Sequence, residues 1–317
     1  MADDRISSIS DNSENGGLTR RALLAGTAGL SAAAMLPASA RADFPVPAIP
    51  PLEREDYADA RRRFRTNLIS KGPSPEKAPP LDTPAGSKRV LYRGGPHGSI
   101  ELIAWISPYE PSSKLKPAVL FLHGGNATGD GHWELMKPYA DAGFVVMLPS
   151  FRGENGQAGN YSGFYDETAD VLAAATYLES LPGIDRNRFF LAGHSNGGTL
   201  ALLAAMSRKF RAAVPISAGV DAWRYFRRYS GEIRFDENDP KEFIMRSSVC
   251  FAPSLKCPTL LLRGTEERPF DKDHQLLMDR ARSAGVSIEA RTLPGTHNGV
   301  VPGAVAESIR FFNRIAA

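Results

Sequence analysis

Cysteine is scarce in this chain. Two of them, Cys250 and Cys257, in 317 residues exclude a disulfide-built scaffold and any multi-cysteine zinc or iron–sulfur site. The two stand seven positions apart and are read as small buried apolar side chains rather than a bridge. Charge of one sign is also lacking. The 38 basic and 35 acidic residues leave a formal +3, scattered along the chain, which does not make a nucleic-acid-binding face. No apolar run reaches the roughly 18 to 20 residues that span a bilayer. With 42% hydrophobic and 23% charged residues, collagen, coiled coil and wholesale disorder are excluded. A chain of this size can bury a large core unaided.

The N-terminus carries Arg20-Arg21, then an Ala/Gly-rich apolar stretch over 22–36. Ala38-Ser39-Ala40 and Ala40-Arg41-Ala42 follow, each offering the small-x-small pattern that a signal peptidase cuts. Paired arginines before a weakly hydrophobic stretch resemble a twin-arginine export signal. The expectation is a signal peptide over 1–42, passage through the twin-arginine translocation machinery, and a periplasmic or secreted mature protein.

Residues 43–88 are proline-rich at both ends, with one helix expected over 53–68. They read as an arm lying on the main domain, and the Arg61-Arg62-Arg63-Phe64-Arg65 cluster as a solvated face. From 89 onward the pattern changes. An antiparallel pair is expected at 89–93 and 100–106, joined by Gly94-Gly95-Pro96. Apolar strand runs at 118–122, 144–148, 189–192, 212–216, 259–263 and 287–293 then alternate with helical patterns at 133–142, 166–180, 197–206, 273–284 and 305–315. This alternation predicts an α/β fold: a mostly parallel sheet of about eight strands with helices on both faces. Residues 219–256 form a cap-like insertion in which Trp223-Arg224-Tyr225-Phe226-Arg227-Arg228-Tyr229 interleaves cations and rings. Its preferred reading is an amphipathic helix that packs its rings and leaves its arginines wet. The rival is a pocket wall that recognises anionic or aromatic acyl groups.

Active groups in such a sheet belong on loops at the carboxyl ends of strands. Gly193-His194-Ser195-Asn196-Gly197-Gly198 lies between an apolar strand and an Ala/Leu-rich helix, which is the setting of a nucleophile elbow. A serine on so sharp a turn needs residues without side chains two before and two after it. The backbone N–H of Asn196 would face a developing oxyanion. The second donor is expected from His123-Gly124-Gly125-Asn126, as the N–H of Gly125 or Asn126. His123 itself is read as fixing that loop. A serine hydroxyl needs a histidine base, and the histidine needs a carboxylate to set its tautomer. Of six histidines, His297 in Leu293-Pro294-Gly295-Thr296-His297-Asn298-Gly299 follows the last strand and fits the order serine, acid, histidine. Glu267 is the preferred acid, with Glu266 and Asp271 as alternatives. Nothing in this chemistry calls for a cofactor or a metal.

With these residues assembled, the chain from about Arg89 onward resembles the α/β-hydrolase superfamily. Within it, the chain resembles the catalytic domain of prolyl oligopeptidase-type peptidases and their dienelactone-hydrolase and esterase relatives. His123-Gly124-Gly125, Phe151-Arg152-Gly153-Glu154-Asn155-Gly156, 193–198, 257–264 and 295–297 carry the likeness. The resemblance implies serine hydrolysis. The Arg152-Gly153 segment resembles a loop those enzymes place near the catalytic face, and here it reads as structural. Two departures stand out: those peptidases usually have an aromatic residue where this chain has Asn196, and Asp as the triad acid. There is also no room for their β-propeller. The first expectation is therefore a secreted hydrolase of carboxylic esters acting through a Ser-His-Glu/Asp triad, on a small-molecule ester or a short peptide. The second is a serine peptidase of aminopeptidase or dipeptidyl type, and the third a non-catalytic binding module on the same fold.

Overall fold

Alternation along the strands sets the architecture. In β3 (Lys116–Leu122) Ala118, Leu120 and Leu122 point to one face of the sheet, and Val119 and Phe121 to the other. All five are buried, so both faces must be covered. The computed structural model describes residues 44–267 and 272–316. The expected signal peptide at 1–42 and Asp271 lie outside the described residues.

The elements follow in chain order: α1 (Tyr57–Arg63), β1 (Lys88–Gly94), β2 (Ile100–Ile106), β3, α2 (Asp130–Asp141), β4 (Val145–Pro149), α3 (Tyr165–Ser180) and β5 (Ile184–His194). Then come α4 (Asn196–Ser207), β6 (Ala213–Ile216), α5 (Ala222–Arg228), α6 (Pro240–Ile244), β7 (Thr259–Gly264), α7 (Lys272–Ser283), β8 (Ile288–Leu293) and α8 (Val301–Ala316). The eight strands form one sheet in the order β1-β2-β4-β3-β5-β6-β7-β8. The pairs β1–β2 and β2–β4 are antiparallel and all others parallel. This is the α/β-hydrolase fold.

Helices α2 and α8 cover one face through Trp133, Met136, Tyr139, Val305 and Phe312. Phe312 stacks on Phe190 of β5 with ring centroids 4.5 Å apart. The other face carries α3, α4 and α7. α4 is buried from Asn196 to Met206, which its Ala/Leu-rich sequence permits because no charged side chain has to reach water. Cys250 and Cys257 are both buried and free, as small apolar groups would be.

The arm helix is shorter than the expected 53–68. Asp56 caps its start by accepting from the Ala58 N–H, and the chain turns extended at Phe64. Beyond it, Leu68 pairs with Phe235 and the Asn67 N–H donates to Glu242, partners that a continuing helix would forfeit. Arg62, Arg63 and Arg65 are exposed, while Arg61 lies over the Tyr165 ring at 4.3 Å. Residues 219–256 lie between β6 and β7 as α5, α6, a single turn at Ser230–Glu232 and a kinked 3₁₀ segment at Ser248–Ser254. Trp223, Phe226, Phe235 and Phe243 pack together there, with Arg227 and Arg228 in water.

Candidate active site

The elbow follows from steric exclusion. At Gly193 a Cβ would lie 2.3 Å from the Gly197 carbonyl oxygen, and at Gly197 it would lie 2.2 Å from the Leu122 carbonyl oxygen. Ser195 sits between them at φ 54, ψ −116, a strained conformation for a residue with a side chain. Its N–H is tied to the Ile216 carbonyl at 2.8 Å, which fixes the turn to β6. Asn196 opens α4, where the first N–H groups have no acceptor within the helix and the helix dipole favours negative charge.

His297 Nε2 lies 3.0 Å from Ser195 Oγ, and its Nδ1 lies 2.7 Å from Glu267 Oε1. The three side chains expected from loops after β5, β7 and β8 therefore meet. Glu266 is exposed, and it is Glu267 that faces the imidazole. Glu267 Oε2 accepts from the Ser217 hydroxyl at 2.6 Å and from the Gly264 N–H at 2.7 Å. Burial alone would raise this carboxyl, but the bonds from His297, Ser217 and Gly264 outweigh it and hold the group at about 2. The carboxylate is thus charged and oriented, so the imidazole keeps its proton on Nδ1 and offers Nε2 to the serine. The loops themselves are bonded together, Thr265 N–H to Leu293 and Glu266 N–H to Gly295.

The second oxyanion donor differs from one of the two options in the sequence. The Asn126 N–H donates at 2.9 Å to Glu76 Oε2, a carboxylate delivered by the arm, which is the stronger acceptor for that group. The N–H groups of Asn196 and Gly125 remain as the candidate pair. Ser74 of the arm also donates its hydroxyl to the Asn126 carbonyl. The arm is therefore part of the wall of this site.

Other groups escaped the sequence reading. His194, in the elbow itself, leaves the serine to His297 and donates from Nε2 to the His297 carbonyl at 2.8 Å. Burial, and then the nearby His297, lower His194 to about 4, so it acts as a neutral donor that holds the base's backbone. Ser217, which fixes Glu267, follows β6 at positive φ. A serine just past a strand's carboxyl end, beside the acid's own strand, is the signal that could have found it. His123 is buried with Nε2 at 3.1 Å from Glu154, and Arg152 is held by Asp170 at 2.8 and 2.6 Å, so both loops are structural as read.

Residues 132–310 match the prolyl oligopeptidase family. The chain is 25% identical over 173 residues to the uncharacterized peptidase YtmA of Bacillus subtilis (strain 168), covering 50% of this chain and 66% of the relative. It is 25% identical over 243 residues to the acylamino-acid-releasing enzyme of Mus musculus, covering 69% of this chain and 28% of that one. Among solved structures, a puromycin-hydrolyzing peptidase of Mycobacterium tuberculosis superposes with a TM-score of 0.61 at 21% identity, over 72% of this chain and 40% of that one. The chain thus spans less than two thirds of the length of each. From this match and the fold, the chain belongs to the prolyl oligopeptidase family of serine peptidases.

Proposed function

We propose that the protein is a serine peptidase that cleaves short peptides or aminoacyl amides through an acyl-enzyme. The observation that carries this reading is His297 bridging Ser195 Oγ and Glu267 in a chain of this family. Ser195 Oγ attacks the scissile carbonyl carbon as its proton passes to His297 Nε2. The carbonyl oxygen becomes an oxyanion facing the N–H groups of Asn196 and Gly125. Collapse breaks the C–N bond, and His297 returns the proton to the departing amine. Water, deprotonated by the same nitrogen, then attacks the acyl-enzyme and releases Ser195. Glu267 stays ionised throughout and stabilises the transient imidazolium.

Peptide cleavage takes precedence over the ester hydrolysis first expected, because family membership points to peptidases. Esters would pass through the same cycle with an easier leaving group. Aminoacyl-arylamides and short peptides should be turned over with kcat/KM within about 100-fold of matched aryl esters, and Ser195→Ala should abolish both. Ester hydrolysis without any amide cleavage would return the reading to an esterase. No labelling of Ser195 by a fluorophosphonate would leave a non-catalytic module.

The export reading is proposed alongside, supported by Arg20-Arg21, the apolar stretch 22–36 and Ala38-Ser39-Ala40. Fractionation of cells and N-terminal sequencing of the mature chain test it. Retention of an uncut chain in the cytosol would overturn it.

A further inference from the structure

The side chain of Asn196 has no part in the cycle above, yet it is buried and fully engaged beside the nucleophile. Its Nδ2 donates to the Gly125 carbonyl at 3.2 Å and to Asn126 Oδ1 at 3.1 Å. Both partners accept only, so the amide is fixed with Oδ1 pointing the other way, toward the Tyr225 hydroxyl at 3.1 Å. The elbow and the oxyanion loop are therefore cross-linked by one side chain, and that side chain is held from the insertion.

Tyr225 is itself held firmly. Its hydroxyl lies 2.8 Å from Glu232 Oε2, which also accepts from Tyr161 at 3.2 Å. Its ring is wedged among Phe164, Phe226 and Tyr229 with centroids 4.9 to 5.0 Å away. The helix that carries it, α5, is capped by Asp221. The residues before it are anchored on α4, where Thr199 Oγ1 bonds both the N–H and the carbonyl of Gly219 at 3.0 Å. A phenol has one proton for two acceptors. That proton is shared between Glu232 Oε2 at 2.8 Å and Asn196 Oδ1 at 3.1 Å, so one hydroxyl ties the insertion's carboxyl to the Asn196 amide.

We propose that Tyr225, braced by Glu232, is a positioning residue that acts through the Asn196 amide to hold the Gly125–Asn126 loop in register with the nucleophile elbow. The proposal rests on the hydrolytic reading above and deepens it. The insertion then sets the geometry in which an oxyanion is received. Because the oxyanion forms only in the transition state, loosening the brace slows turnover and leaves substrate binding nearly unchanged.

The test uses the full chain with Tyr225→Phe, which keeps the ring and removes only the hydroxyl, together with Asn196→Ala, which keeps the backbone N–H. Tyr225→Phe is expected to lower kcat about tenfold, with KM within twofold and the thermal midpoint within about 2 °C of the parent. In the double variant the loss should not exceed that of Asn196→Ala alone, as for two members of one linkage. Arg228→Ala, an exposed change on the same helix, should leave kcat as it is. Unchanged kcat in Tyr225→Phe, a loss confined to KM, or losses that multiply in the double variant would each overturn the proposal. Ser195 labelling by a fluorophosphonate in the parent keeps the hydrolytic reading separate: labelling with an indifferent Tyr225→Phe sinks the brace alone.

Discussion

Replacing Glu267 by glutamine is the most informative single change at this site. The carboxylate is gripped on its far oxygen by the Ser217 hydroxyl at 2.6 Å and the Gly264 N–H at 2.7 Å. Both grips demand an acceptor, so a glutamine must turn its oxygen toward them and its NH2 toward His297 Nδ1. An NH2 there cannot accept a proton, and the imidazole is driven to carry its hydrogen on Nε2, facing Ser195. In that tautomer it no longer serves as a base. The expected loss in kcat is about 10³- to 10⁴-fold, or about 4 to 5.5 kcal/mol at 1.36 kcal/mol per decade. Glu266→Gln, one residue earlier and exposed, should stay within twofold. The same substitution bears on stability. A carboxyl lowered to about 2 from 4.5 stabilises the folded chain fully above pH ~4.5 and loses that contribution as pH falls toward 2. Urea unfolding should therefore show Glu267→Gln weaker than the parent at pH 7, with the gap closing between pH 4.5 and 2. Hydrolysis of an aryl ester by Glu267→Gln within tenfold of the parent would refute the tautomer argument.

Three further outcomes follow from the packing. Gly197→Ala, with its Cβ placed 2.2 Å from a backbone oxygen, should abolish Ser195 labelling, whereas Gly303→Ala in α8 meets open space and should stabilise by about 0.5 to 1 kcal/mol in chemical denaturation. Glu242→Ala leaves the fully buried Arg246 guanidinium without its ionic partner and should cost about 3 to 5 kcal/mol, read as a fall in the urea midpoint. Burial pushes the Cys257 thiol up to about 12 and raises Cys250 further, so a thiol reagent should find no reactive group in the native chain and two after unfolding.

Much of this fold can be read from local pattern, because apolar runs and turn residues mark strands whose both faces are covered. β7 and β8 lie within a residue of their expected bounds. β5 begins at Ile184, five positions before the apolar run, because Asp185-Arg186-Asn187-Arg188 extend the strand where pairing with β3 is irregular and no apolar period announces it. Ser195 was legible because steric need leaves a glycine spacing around it, and His297 because it follows the last strand in the order serine, acid, histidine. The choice of Glu267 over Glu266 depended on which carboxylate faces inward at a loop, a matter of backbone direction that adjacent residues do not disclose. Glu76, Tyr225 and Glu232 reach the site from segments remote in sequence. Their roles arise only when the sheet brings those segments together, and no local spacing encodes them.

The arm has a consequence for how the molecule is assembled. The Tyr57 N–H is received by Ser254, 197 positions later, and its hydroxyl by the Met245 carbonyl, 188 positions later. On a ribosome this segment emerges early and waits for nearly everything it touches. It is synthesised before the segments that receive it, and these bonds can form only once Met245 and Ser254 are in place. Refolding should accordingly show a late step in which docking of residues 44–76 completes the wall beside Asn126, and turnover should lag behind recovery of the sheet.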